Sequence, residues 1–144
     1  MELPTVLVNT WAERRQQIFP AETAAVPVAL ACLQEELRGR DVVLFVDNEA
    51  AVSALVRGAS RATDAAQLAE LAHAILLRLS CRLWIEWIDA ISNPADGLSR
   101  EGVADPWTMT QGYDLRQLQG DRFPPPNPDV FNWADELLHW GLEL

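Results

Sequence analysis

Five consecutive apolar residues, Val42-Val43-Leu44-Phe45-Val46, stand between Asp41 and the polar pair Asp47-Asn48. A continuous apolar run bounded in this way predicts a strand covered on both faces, in a sheet that is at least partly parallel. Parallel neighbours need a long crossover, usually helical, and the residues that follow provide one. Glu49 to Val56 predicts a short helix closed by Gly58. Asp64 to Leu79 predicts a longer one, capped by Thr63 or Asp64, with Leu68, Leu71, Ala72, Ile75 and Leu79 on one side. Arg82 to Ile88 then reads as a second strand, with Leu83, Ile85 and Trp87 on one face and Trp84, Glu86 and Ile88 on the other.

The flanking segments extend the alternation. Thr5 to Val8 is a short strand-like run. A helix is expected from about Pro20 to Gly39, with Glu22 near its positive end and Ala25, Val26, Ala29, Leu30, Leu33 and Leu37 on the buried face. Pro27 lies inside it, where a missing N–H and a ring clash cost about 3 kcal/mol, so a kink or a late start is expected. After the second strand come a turn over Asp89 to Asn93 and a short helix over Pro94 to Arg100 opened by proline. Residues 103 to 129, with Pro124-Pro125-Pro126-Asn127-Pro128, read as an extended connector, and Val130 to Leu142 as a final amphipathic helix. The expectation is an α/β domain over 1–102 followed by a proline-rich acidic tail over 103–144.

Charge and composition narrow the function. The net charge is -10, and the excess lies in the tail: residues 101 to 144 carry eight acids against two bases. A nucleic-acid binder usually shows a basic footprint that displaces counterions from phosphates, so strong autonomous binding is not expected. Cys32 and Cys81 have neither disulfide-framework nor metal-ligand spacing, and His73 and His139 read as ordinary histidines in helical patterns. No apolar run approaches the roughly 20 residues of a membrane span, and the first residues lack a signal-peptide pattern, so an intracellular protein is expected.

Three acids occupy strand ends and helix starts, where α/β sheets commonly place their sites. They are Glu22, Asp47 and Asp96. If their elements are neighbours, the carboxylates form an oxygen-rich set suited to Mg²⁺ or Mn²⁺. Taken singly, each also serves as a helix cap or a dipole complement.

Three strings around these acids resemble the ribonuclease H region of retrotransposon reverse transcriptases. They are Gln17-Ile18-Phe19-Pro20-Ala21-Glu22, then Phe45-Val46-Asp47-Asn48-Glu49-Ala50-Ala51, and Trp87-Ile88-Asp89-Ala90-Ile91-Ser92-Asn93-Pro94-Ala95-Asp96-Gly97-Leu98-Ser99-Arg100. The last is the most specific, and the resemblance covers about residues 5 to 102. It implies a mixed sheet flanked by helices, lacking the first strands of the family's fold. It also implies two-metal hydrolysis of the RNA strand of an RNA–DNA hybrid, with Glu22, Asp47 and Asp96 as catalytic and metal-binding carboxylates. Asn48, Asn93, Ser99 and Arg100 are implied as substrate contacts. The sequence departs from the family in two places: no aspartate precedes Asp41, so the first catalytic aspartate has no counterpart, and no histidine lies between Asp89 and Asn93. The resemblance therefore implies a nuclease centre impaired in the isolated chain. The alternative is a non-catalytic, domesticated subunit that serves as a structural or protein-interaction module. In either case a protein partner or a second copy is expected to cover the missing strands.

Overall fold

The computed structural model of the chain describes residues 18–113. In order these form α1 (Ile18–Cys32), α2 (Gln34–Leu37), β1 (Asp41–Val46), α3 (Glu49–Arg57), α4 (Thr63–Leu79), β2 (Arg82–Trp87), α5 (Asp96–Glu101), a 3₁₀ turn (Gly102–Ala104) and α6 (Pro106–Thr110). The expected strand at Thr5 to Val8, the proline-rich part of the connector and the helix at Val130 to Leu142 lie outside the described residues.

The architecture is mixed α/β. β1 and β2 pair in parallel, in register from Asp41 opposite Arg82 to Val46 opposite Trp87. Among the described residues these are the only strands, so the sheet described is a parallel pair. Arg82 donates from Nε and Nη2 to the two oxygens of Asp41 at the first position of the register, which holds the Asp41 carboxyl below the usual carboxylate range. Both side chains are well exposed, so the pair contributes little to stability.

The core lies on one face of this sheet. Val42, Leu44, Val46 and Ile85 pack against Leu55 of α3, Leu68, Leu71, Ile75 and Leu79 of α4, and the inner side of α1. The other face is open: Val43, Phe45 and Trp84 are 60%, 55% and 67% exposed. Coverage of β1 on both faces is therefore not found among the described residues. An unbroken apolar run shows that a strand forms; it does not show which of its faces is covered.

α1 also differs from its expectation. The chain is already helical at Ile18, so Glu22 stands beyond the first turn, and the helix runs through Pro27 to Cys32. It buries Pro20, Thr23, Ala24, Val26, Pro27, Val28, Leu30 and Ala31, while Ala25, Ala29, Leu33 and Leu37 are only half-buried. The buried side is thus rotated relative to the expected stripe, and Pro27 is part of it. Its ring is fully buried, and this packing offsets the hydrogen bond that proline cannot donate. Gly39 stops the helical segment with φ 70°, and its N–H donates to the Leu79 carbonyl at 2.9 Å, joining the end of α2 to the end of α4.

The crossover helices start and stop close to their expected positions, with one correction. The N-cap of α4 is Ala62, without a side-chain cap bond; Asp64 is buried and accepts from the Ala65 N–H at 2.8 Å. α3 ends on Gly58 in the left-handed region (φ 63°), packed under His73, whose Nε2 lies 2.7 Å from the Leu55 carbonyl oxygen and donates to it. A Cβ at Gly58 would sit 3.0 Å from that ring. Gly58→Ala should therefore lower stability by about 1–2 kcal/mol, the usual strain of an L-residue in this conformation. Urea denaturation measures it, and an unchanged midpoint would show that α3 does not end on this turn.

Candidate functional site

The parallel register places the C-terminal ends of both strands at one edge of the sheet, so Asp47 after β1 and the loop after β2 are neighbours. Asp47 is half-buried and accepts a hydrogen bond from Asn93 Nδ2 at 3.1 Å. Glu22 reaches the same place from α1. Its carboxyl is pushed up from the ordinary glutamate value, first by burial and then by the negative charge of Asp47. Two acids 25 positions apart in sequence thus share one electrostatic environment.

Asp96 stands apart from this pair. It lies in the first turn of α5, and one of its oxygens accepts from Arg100 Nη2 at 2.9 Å. Among the described residues no group of three His, Cys, Asp or Glu side chains is placed to hold a metal ion. The three-carboxylate set expected from the sequence is therefore not assembled, although Glu22 and Asp47 are brought together. Asp96 is instead paired with Arg100 one helical turn further along α5.

The four expected substrate contacts have local roles. Asn48 is the N-cap of α3, its Oδ1 accepting from the Ala51 N–H at 3.0 Å. Ser99 Oγ donates to the Asp96 carbonyl at 2.8 Å, and Arg100 holds Asp96. Asn93 ties the loop to Asp47. Ahead of it, Asp89 Oδ1 accepts from the Ser92 N–H at 3.0 Å, and Ser92 holds the Asp89 carboxyl below its usual range.

A cleft of about 320 Å³ opens beside this loop, lined by Ile91, Asn93, Asp96, Gly97, Asp105 and Trp107 among others. Sequence reasoning missed its far wall. Asp105 is the N-cap of α6, accepting from the Thr108 N–H at 2.7 Å, and is 7% exposed. Thr108 holds the Asp105 carboxyl below its usual range. The Thr108 hydroxyl is buried and makes no hydrogen bond of its own among the described residues, so the backbone N–H forms the cap. The signal was present in Asp105-Pro106, an N-cap acid before a proline at the first helical position. Residues 103 to 110 are accordingly short helical turns rather than extended connector.

Comparison of the chain with protein-family models, with curated proteins and with solved structures finds no match.

Two outcomes follow from this geometry. Because the folded-state value of Glu22 is raised, its contribution to stability is fully present below the ordinary glutamate value and is lost as pH rises through the raised one. Glu22→Gln should therefore stabilise the protein at neutral pH and flatten the pH profile across that interval. Thermal unfolding from pH 4 to 8 measures this, and a parallel downward shift at every pH would contradict it. A Cβ at Gly97 would clash with Asp105 Oδ1, so Gly97→Ala should displace the α6 cap and cost about 1–3 kcal/mol. Faster amide exchange at Thr108 is the expected sign, and unaltered exchange would refute it.

Proposed function

We propose that this chain is a ribonuclease H-like domain of the kind attached to retroelement reverse transcriptases, carrying part of a hybrid-cleaving centre and inactive as an isolated chain. The observation that carries the reading is the pairing of Glu22 on α1 with Asp47 at the end of β1, close enough for one charge to raise the other's pKa. Two carboxylates in mutual repulsion are the oxygen donor set that a hard divalent cation relieves, so Glu22 and Asp47 are the residues that would hold Mg²⁺ or Mn²⁺. A divalent ion bound there supplies activation of water and stabilisation of the leaving oxygen.

The rest of the centre is partial. Asp96 is drawn to Arg100, which is 70% exposed; an i,i+4 pair of this kind is worth only about 0.3–0.5 kcal/mol, so Asp96 can be recruited when a cation and a substrate are present. Glu22 and Asp47 are two of the carboxylates such a centre uses, and a further acidic group completes it. The RNA–DNA hybrid meets a chain of net charge -10, and a basic partner surface is needed to hold it.

A second reading, a ribonuclease H-like subunit kept for its surfaces, is favoured by the open apolar face of Val43, Phe45 and Trp84. One pair of measurements separates the two. Calorimetric titration of Mn²⁺ into the full chain should detect binding that Asp47→Asn weakens at least roughly tenfold, with no hybrid cleavage by the chain alone. Mn²⁺ binding indifferent to Asp47→Asn would leave the second reading standing, and cleavage surviving both Asp47→Asn and Glu22→Gln would overturn the first.

A further inference from the structure

We infer that Asn93 is the positioning residue of this site, its side-chain amide fixing the Asp47 carboxylate while its backbone carbonyl fixes the start of α5, where Asp96 sits. The inference rests on the Glu22–Asp47 reading for its chemistry and on four hydrogen bonds for its geometry. The Asn93 N–H donates to the Ala90 carbonyl at 3.3 Å, and the Asn93 carbonyl accepts from the Asp96 N–H at 3.1 Å. In the side chain, Oδ1 accepts from the Ala95 N–H at 3.0 Å, and Nδ2 donates to Asp47 Oδ2 at 3.1 Å.

These bonds settle the orientation of the amide. A backbone N–H can only donate, so the side-chain oxygen must face Ala95, and the nitrogen is left facing Asp47. No other side chain meets both demands equally well. Aspartate retains the acceptor for Ala95 but presents a second anion to Asp47; serine is too short to span both; alanine supplies neither group. Asn93 is half-buried, which shields the bond to Asp47 from full competition by water.

The consequence is a mechanical link between acids 49 positions apart. Asp47 ends β1 and Asp96 opens α5, and the single residue Asn93 is bonded to both. It thereby ties the Asp47 carboxylate, whose charge bears on Glu22, to the backbone that carries Asp96. Polar groups that orient a ligating carboxylate commonly change metal affinity ten- to a hundredfold without touching the ion.

The test is an exchange of amide and carboxylate in the full chain. Asn93→Asp alone should raise the unfolding equilibrium constant in urea by roughly tenfold, since it sets like charges against each other and removes a charge-assisted hydrogen bond. Asn93→Asp combined with Asp47→Asn reverses the polarity of the same bond and should return stability to within about threefold of the parent. A double variant as unstable as the two single effects added together would overturn the inference.

Mn²⁺ affinity, read from the electron paramagnetic resonance of free ion at a temperature where every variant is folded, isolates positioning from folding. Asn93→Ala should weaken it about tenfold. The exchanged pair should recover stability without recovering Mn²⁺ affinity, because the ligating carboxylate has moved. A loss of stability in Asn93→Ala with unchanged Mn²⁺ affinity would make Asn93 merely structural and overturn its positioning role. Absence of Mn²⁺ binding in the parent would instead refute the metal reading of Glu22 and Asp47, and the exchange alone would then decide whether Asn93 holds Asp47.

Discussion

The parallel pairing of β1 with β2 is the constraint from which the site follows. Strands that run the same way end on the same side, so the residue after Val46 and the loop after Trp87 must meet there. An antiparallel pair would have set Asp47 and Asn93 at opposite ends of the sheet. The parallel arrangement requires a crossover, and α3 and α4 serve as one while covering the inner face of both strands. Asn48 begins that crossover as the α3 cap directly after Asp47, so the site and the fold share consecutive residues.

α1 supplies the third side of the arrangement. It lies against α4 and α3 through a wide buried surface that includes Thr23, whose hydroxyl donates to the Phe19 carbonyl at 2.8 Å. Burying that side leaves Glu22 at the margin of the core, where partial desolvation and the neighbouring Asp47 both oppose its ionisation. The helix that carries an interior proline is thus held by packing, and the packing determines which acid faces the strand end.

Much of the fold was legible in the sequence because its signals are local and repeated. The apolar run at Val42 to Val46, the glycine stop at Gly58 and the heptad-like spacing of Leu68, Leu71, Ile75 and Leu79 each specify an element without reference to the others. Facing was less legible. Apolar residues occupy most positions of α1, so periodicity could not choose the buried side, and the uniform run in β1 concealed the exposure of Val43 and Phe45. Of the site, strand-end and helix-start positions singled out Glu22, Asp47 and Asp96 as candidates, but not that Glu22 lies beyond the first turn of α1 or which of the three share one environment. The i,i+4 pairing of Asp96 with Arg100 and the Asp105-Pro106 cap were legible as local patterns but not used, whereas the dual bonding of Asn93 depends on side-chain geometry that residue spacing does not encode.

In the function proposed, Glu22 and Asp47 act together as a cation site that the Asn93 loop shapes. Paramagnetic broadening of backbone amide signals by sub-stoichiometric Mn²⁺ tests this most directly, because its steep distance dependence locates the ion without any assay of activity. Selective loss of the signals around Glu22, Asp47 and residues 93–96 is expected. Uniform broadening along the chain, or loss centred on acids elsewhere with these signals intact, would contradict it.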